Sequence, residues 1–179
     1  MKKLKKNFPF SIAIDGDSAS GKTTGSKFIA KNFGFKLLTS GKLYRYVAYK
    51  IIKDKKKVKK AYLKKIAKNI TFKKLKDNKM MYTDEVTSYA SSIAKIKFIR
   101  QLLNKFQKKF SKNKRFIIEG RDIGSKILPN ADLKLFFKCS SREKAKRRLK
   151  EFNKQKREIT LEEVKKSLKK RDYSDKNRK

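Results

Sequence analysis

Nine residues, GDSASGKTT (Gly16–Thr24), constrain this chain more than any other stretch. They follow an apolar run, FSIAI (Phe10–Ile14), and precede GSKFIAKNFGF, where Ile29 and Phe33 stand four apart before Gly34. The apolar run reads as a buried parallel strand. The spacing of four reads as a helix, with the glycine as its stop. Glycines let a loop backbone wrap an anion so that successive N–H groups converge on it. The helix that follows offers the positive end of its dipole. Gly16-x4-Gly21-Lys22-Thr23 satisfies the Walker A pattern. Gly16, Asp17, Ser18, Ala19, Ser20, Gly21, Lys22, Thr23 and Thr24 are therefore candidate phosphate-binding residues. Lys22 supplies charge to the outer phosphates, and the Thr23 hydroxyl is a candidate Mg²⁺ ligand. Thr24 reads equally well as a phosphate contact or as an ordinary helix residue. The loop implies ATP or GTP and leaves the phosphate acceptor open.

Beyond the loop, FKLL (Phe35–Leu38), the Phe116–Glu119 part of RFIIEGRDIG, and the Leu133–Phe137 part of ADLKLFFKC read as further strands. Helical spacing marks Lys42–Ile52, Ala61–Phe72 and Glu85–Phe110, and nearly all of residues 53–60 are lysine, a hydrated loop. Asp77-Asn78 suggests a turn. SSRE (Ser140–Glu143) and TLEE (Thr160–Glu163) are capping boxes that open two more helices. Strands alternating with helices imply parallel crossover units and a three-layer α/β fold with a central parallel sheet. The expected layout is a single domain with its core at 8–55 and 85–140. A short insert lies at about 56–84, and a helical lid with the C-terminal helix at 141–179.

The 179 residues carry a formal net charge of +38, which raises nucleic acid as a partner. Lysine outnumbers arginine roughly four to one and is scattered over every segment, a solvated surface rather than a stripe. Nucleic acid is thus not expected as a specific partner. One cysteine and no histidine exclude an internal disulfide and a Cys/His metal site. The basic N-terminus is followed by no apolar signal region, and no run approaches a membrane span. A cytoplasmic monomer without a membrane partner is expected.

Where lysine is abundant, arginine points to a need for a planar fork that grips phosphate or a base edge. Arg45, Arg100, Arg121, Arg171 and Arg178 fall in patterned stretches: LTSGKLYR (Leu38–Arg45), EVTSYASSIAKIKFIRQLLNKFQ (Glu85–Gln107), EGRDIGSKILPNADLKLF (Glu119–Phe136) and KRDYSDKNR (Lys170–Arg178). With IAIDGDSASGKTT, these stretches resemble the bacterial cytidylate kinases, members of the P-loop nucleoside-monophosphate kinase group. The likeness runs from about Ser11 to Arg178, weakest at residues 53–82.

The resemblance implies a P-loop kinase fold with a monophosphate-binding insert and transfer of phosphate from ATP, with Mg²⁺, to CMP or dCMP. It implies that Ser40, Arg45, Arg121 and Arg178 surround the CMP phosphate, and that Ser91, Arg100 and Asp122 read the cytosine. Arg171 and Asp175 would hold the ribose. Arg147, Arg148 and Arg157 would act with Lys22 and Arg121 on the transferring group, from a mobile lid. Some of this has independent chemical sense. A carboxylate suits the N4 donor of cytosine, and a guanidinium suits its N3 and O2 acceptors. Asp122 reads otherwise as a loop cap, and Arg100 as a solvated helix residue. Arg171, Asp175 and Arg178, spaced 4 and 3, share a helix face, which suits a ligand or a surface ion pair. Ser91 and Arg100 point to opposite sides of a straight helix, so a break is expected near Ala94–Phe98, where the family usually has proline and this chain has Lys97.

Asp17 and Ala19 stand where the family usually has proline and glycine, Thr39 replaces an aspartate, and Lys42 a small residue. Ala19 would be strained if its position needs a positive φ, and Asp17 adds a negative charge unless it points to solvent. The family's last strand and helix are absent, so Leu133–Phe137 is expected at a sheet edge, in a truncated chain less stable than a full-length one. Other readings are a uridylate-, shikimate- or dephospho-coenzyme-A-type P-loop kinase, and a basic nucleic-acid-binding P-loop protein without kinase activity.

Overall fold

In the computed structural model, which describes residues 8–75, 78–154 and 158–177, four strands form one sheet. They are β1 (Phe10–Gly16), β2 (Lys36–Thr39), β3 (Arg115–Glu119) and β4 (Leu133–Phe137), in the order β2-β3-β1-β4. β1 runs parallel to both neighbours, Ile12 opposite Ile117 of β3 and Ile14 opposite Leu135 of β4. Parallel neighbours need a crossover, and the helix α1 (Lys22–Phe33) begins the one that leaves β1. Ile29 and Ala30 of α1 pack on Ile12, Ile14, Phe35 and Ile117. Ala13 and Ile118, which alternate with these, are buried as well. Burial on both faces is why Ile12–Ile14 of β1 and Phe116–Ile118 of β3 are unbroken apolar runs. β4 stands last in the described order, as expected, with Leu133 and Phe136 exposed.

The remaining helices are α2 (Ser40–Lys53), α3 (Lys60–Lys68), α4 (Asp84–Ile93), α5 (Lys97–Phe110), α6 (Ser141–Lys154) and α7 (Leu161–Lys176). The chain forms two compact units. One contains the chain up to Leu37 and from Lys114 onward; the other is Leu38–Asn113. Within the second, α2 packs on α4 and α3 on α5, burying Leu43, Val47, Leu63, Ile66, Ile93, Ile99 and Leu103. Within the first, α6 and α7 pack together through Ala145, Val164 and Leu168.

Several expectations change in detail. α3 ends at Lys68 rather than Phe72: Phe72 leaves the helix to meet the rings of Phe110 at 5.1 Å and Phe106 at 6.2 Å. α2 begins at Ser40, two residues early, directly after extended Thr39. What reads as a glycine-bounded loop after β3 is a π-helical turn over Ile123–Ile127, held at its start by Asp15, whose carboxylate accepts the N–H groups of Ile123 and Gly124, each at 2.8 Å. The expected break between α4 and α5 is present: Ile96 is extended, and a new helix starts at Lys97. Thr160 and Glu163 make both halves of a capping box at α7, and Ser140 Oγ accepts the Glu143 N–H at 3.2 Å at α6. Asp77 lies outside the described residues, whereas Asn78 Oδ1 accepts the Met80 N–H at 2.9 Å.

β1 ends where the phosphate-loop pattern begins. A Cβ added to Gly16, whose φ is +157°, would lie 2.6 Å from the Phe137 carbonyl oxygen of β4. Both groups are backbone in paired strands, so neither yields without disturbing the sheet. Gly16→Ala should destabilise the fold by about 1–3 kcal/mol, the usual range for overpacking, read as a lowered midpoint in urea unfolding.

Candidate active site

The loop between β1 and α1 lies in the first unit and gathers most of the predicted chemistry. Lys22 opens α1 and is 9% exposed, with its ammonium donating to the Asp17 carbonyl at 2.9 Å. Burial, then the nearby Arg121 guanidinium, pulls its pKa down to about 8. Ser20 Oγ is buried without a hydrogen-bond partner among the described residues. Thr23 is half-buried at the helix start, and Thr24 is exposed.

The two unusual loop residues have definite environments. Asp17 does not point to solvent: its carboxylate pairs with Lys144 of α6 at 3.1 Å. Lys144 also meets Asp172 of α7 at 2.8 Å. Burial opposes the charge on both partners, but their hydrogen bonds and ion pairs outweigh it, so the Lys144 pKa is raised and that of Asp172 lowered. Ala19 has φ +56°, the left-handed conformation that its sequence position put in question.

Arg121, just past β3, reaches back to the loop. Its Nη1 donates to the Gly16 carbonyl at 3.1 Å and lies 3.4 Å from Asp172, its Nη2 donates to Ser18 Oγ, and its Nε pairs with Asp175 at 3.2 Å. The structure thus brings Gly16, Ser18, Arg121 and Asp175 together. Asp122 is half-buried at the foot of the π-helical turn, and Arg171 is close enough to Lys22 to help lower its pKa. Arg147 Nη1 donates to the Ser20 carbonyl at 3.4 Å. Arg148 instead pairs with Glu151 at 2.7 Å and lies over the Phe152 ring. Arg157 and Arg178 lie outside the described residues.

The second unit carries the other candidates. Ser40 Oγ donates to Oε1 of buried Gln107, and Arg45 lies 5.1 Å from the ring centre of Tyr82. Ser91 Oγ donates to the Thr87 carbonyl at 3.2 Å. Arg100, read as solvated if not functional, is buried.

Sequence reasoning missed Glu119, Lys144, Asp172 and Gln107. Glu119 had a legible signal. It is an acid closing an apolar strand, and it stands opposite Ile14 on the strand that carries the loop. It is 3% exposed, and its charge acts on Lys22. Lys144 looked like one of many surface lysines. Among the described residues, no group of three or more His, Cys, Asp or Glu forms a metal cage, and no helix is long and apolar enough to cross a membrane.

Comparison with known proteins adds an independent line. The sequence model of the cytidylate kinase family matches residues 12–179. Cytidylate kinase of Fusobacterium nucleatum subsp. nucleatum is 39% identical, over 94% of this chain and 82% of its own length. That of Caldicellulosiruptor bescii is 34% identical, over 93% and 80%. That of Streptococcus pneumoniae is 36% identical, over 93% and 82%.

The strain at Ala19 has a measurable consequence. A left-handed L-residue costs about 1–2 kcal/mol. The Ala19 methyl packs beside the Ala145–Val164–Leu168 cluster, and removing it loses roughly 0.8 kcal/mol. Relief of the strain outweighs the lost packing, so Ala19→Gly should stabilise the protein, by less than about 1 kcal/mol, measured as a raised melting temperature.

Proposed function

This chain belongs to the cytidylate kinase family, and we propose that it transfers the γ-phosphoryl group of ATP to CMP and dCMP, giving ADP with CDP or dCDP. One observation carries the proposal. The Walker A loop, buried Lys22 and the Arg121 guanidinium meet at the carboxyl end of the central strand. That arrangement suits a polyphosphate and its transferring group. Phosphoryl transfer asks the protein mainly for position and positive charge. In this reading the loop N–H groups other than that of Ser18, together with Lys22, hold the ATP phosphates, and Arg147 reaches the loop from the lid at residues 141–179. Arg121, with Ser40, Arg45 and Arg178, holds the acceptor phosphate. Arg171 and Asp175 serve the ribose. Ser91, Arg100 and Asp122 read the base. Residues 56–84 form the monophosphate-binding insert. The enzyme acts as a monomer in the cytoplasm.

A Mg²⁺ ion fits the donors present. Thr23 Oγ and the buried Glu119 carboxylate are hard oxygen groups, and Mg²⁺ uses few protein ligands beside phosphates and water. Bound there, it would neutralise phosphate charge as the transfer proceeds.

ADP release measured over CMP, dCMP, UMP, AMP and shikimate tests the function. CMP and dCMP should be turned over, and UMP should lag, because its O4 acceptor faces the Asp122 carboxylate. Asp122→Asn should narrow the CMP-to-UMP gap. An unpaired buried acceptor costs about 1–3 kcal/mol, roughly tenfold to a hundredfold. Equal use of CMP and UMP by the unmodified protein would count against the base assignment. Lys22→Ala should cut turnover by orders of magnitude with the fold retained.

The lowered pKa of Lys22 gives a second handle. A polyphosphate beside the ammonium favours its charged form. Between pH 8 and 9.5 the free protein has lost part of this proton, so ATP binding should take one up. At pH 6.5 Lys22 is already charged, and no uptake is expected from it. Calorimetric titration in buffers of different ionisation enthalpy measures the difference.

A further inference from the structure

Asp172 lies between Arg171 and Asp175 in α7, yet it has no role in the motif reading. It is 9% exposed, and its carboxylate meets three other parts of the first unit. It accepts the backbone N–H of Ser18 at 3.0 Å. It faces Arg121 Nη1 at 3.4 Å and Lys144 Nζ at 2.8 Å. Lys144 continues to Asp17, so both Asp17 and Ser18 of the phosphate loop are tied to this one carboxylate. The Ser18 N–H is therefore spent on holding the loop. Arg121 has its plane fixed by Asp172 through Nη1 and Asp175 through Nε.

We propose that Asp172 is a positioning residue that holds the phosphate loop and Arg121 in register with one another. One buried carboxylate then supports the grip on the donor and the grip on the acceptor phosphate alike. The proposal rests on the reading of Arg121 as an acceptor-phosphate ligand. A carboxylate suits the task because a buried anion with three donors has a single low-energy arrangement, and each donor is fixed relative to the others. Removing its charge leaves Lys144 paired with Asp17 alone and Arg121 with Asp175 alone, so each cation keeps a partner but the link between the loop and Arg121 is lost.

The test uses Asp172→Asn and Lys144→Met in the full chain. Asp172→Asn keeps the shape and an acceptor for Ser18 but removes the charge. Both KM values, for ATP and for CMP, should rise about tenfold or more, with kcat lowered and with circular dichroism and melting temperature close to the parent. The proposal is overturned if both KM values stay within twofold of the parent. It is equally overturned if only one nucleotide is affected, or if activity falls only in step with the unfolded fraction.

Lys144→Met carries the test if Asp172→Asn does not fold. It leaves Asp172 facing Ser18 and Arg121, with Asp17, Lys22, Arg171 and Asp175 nearby, but takes away one of the cations that keep it ionised despite burial. With the tie from Asp172 to Asp17 cut, the KM values for ATP and for CMP should both rise, with circular dichroism close to the parent. KM values within twofold of the parent overturn the proposal.

ATP titration by calorimetry needs no acceptor, so it separates this proposal from the function on which it rests. A parent protein inert toward CMP would overturn the kinase reading. Asp172→Asn binding ATP as tightly as the parent would overturn the role of Asp172.

Discussion

Parallel pairing of β1 with both β3 and β4 is the constraint from which the rest follows. A strand flanked on both sides by parallel neighbours cannot turn back into the sheet through a hairpin, so the chain must leave its carboxyl end and cross over. In this protein the exit is the loop Gly16–Thr24, and the crossover begins with α1. The N-terminus of α1 therefore falls at the end of the central strand, beside Glu119 from β3 and Phe137 from β4. Anion-binding donors, a buried acid and the start of the next segment converge there because the topology leaves no other place for them.

The fold was legible because its signals are local. An apolar run, a glycine stop or a capping box needs only a few neighbouring residues. The break between α4 and α5 was legible for a different reason, since two residues expected at one ligand could not meet on a straight helix. Phe72 shows the limit of such reading. Periodicity carried it into α3, but its ring finds better packing on Phe106 and Phe110, which are more than thirty residues away in sequence. The π-helical turn after β3 was hidden in the same way, because the carboxylate that shapes it belongs to β1.

The candidate site was legible where residue type is costly or distinctive, as with the loop glycines, Lys22 and the scarce arginines. It was illegible where function rests on a commonplace residue in an uncommon place. Lys144 is one lysine among many, and only its two carboxylate partners distinguish it. Ala19 and Asp17 were visible as departures from a familiar pattern. Their structural outcome required the backbone angle of one and the ion-pair partner of the other. Burying these charges is unfavourable for each taken alone, and it becomes tolerable because Lys144 and Arg121 each face two carboxylates.

The capping box at Thr160 acquires a meaning beyond the stability of one helix end. A helix advances about 100° per residue, so the residue at which it begins sets the azimuth of every side chain after it. Asp172 lies three turns beyond Thr160, and its carboxylate meets Ser18, Arg121 and Lys144 only at one azimuth. Nucleation of α7 one residue early or late would swing that carboxylate by more than a quarter of a turn, away from all three. The reciprocal bonds of Thr160 and Glu163 thus act as an index mark. Two residues at the solvent-exposed rim of α7 set the rotational phase of a buried anion about 18 Å further along the rod.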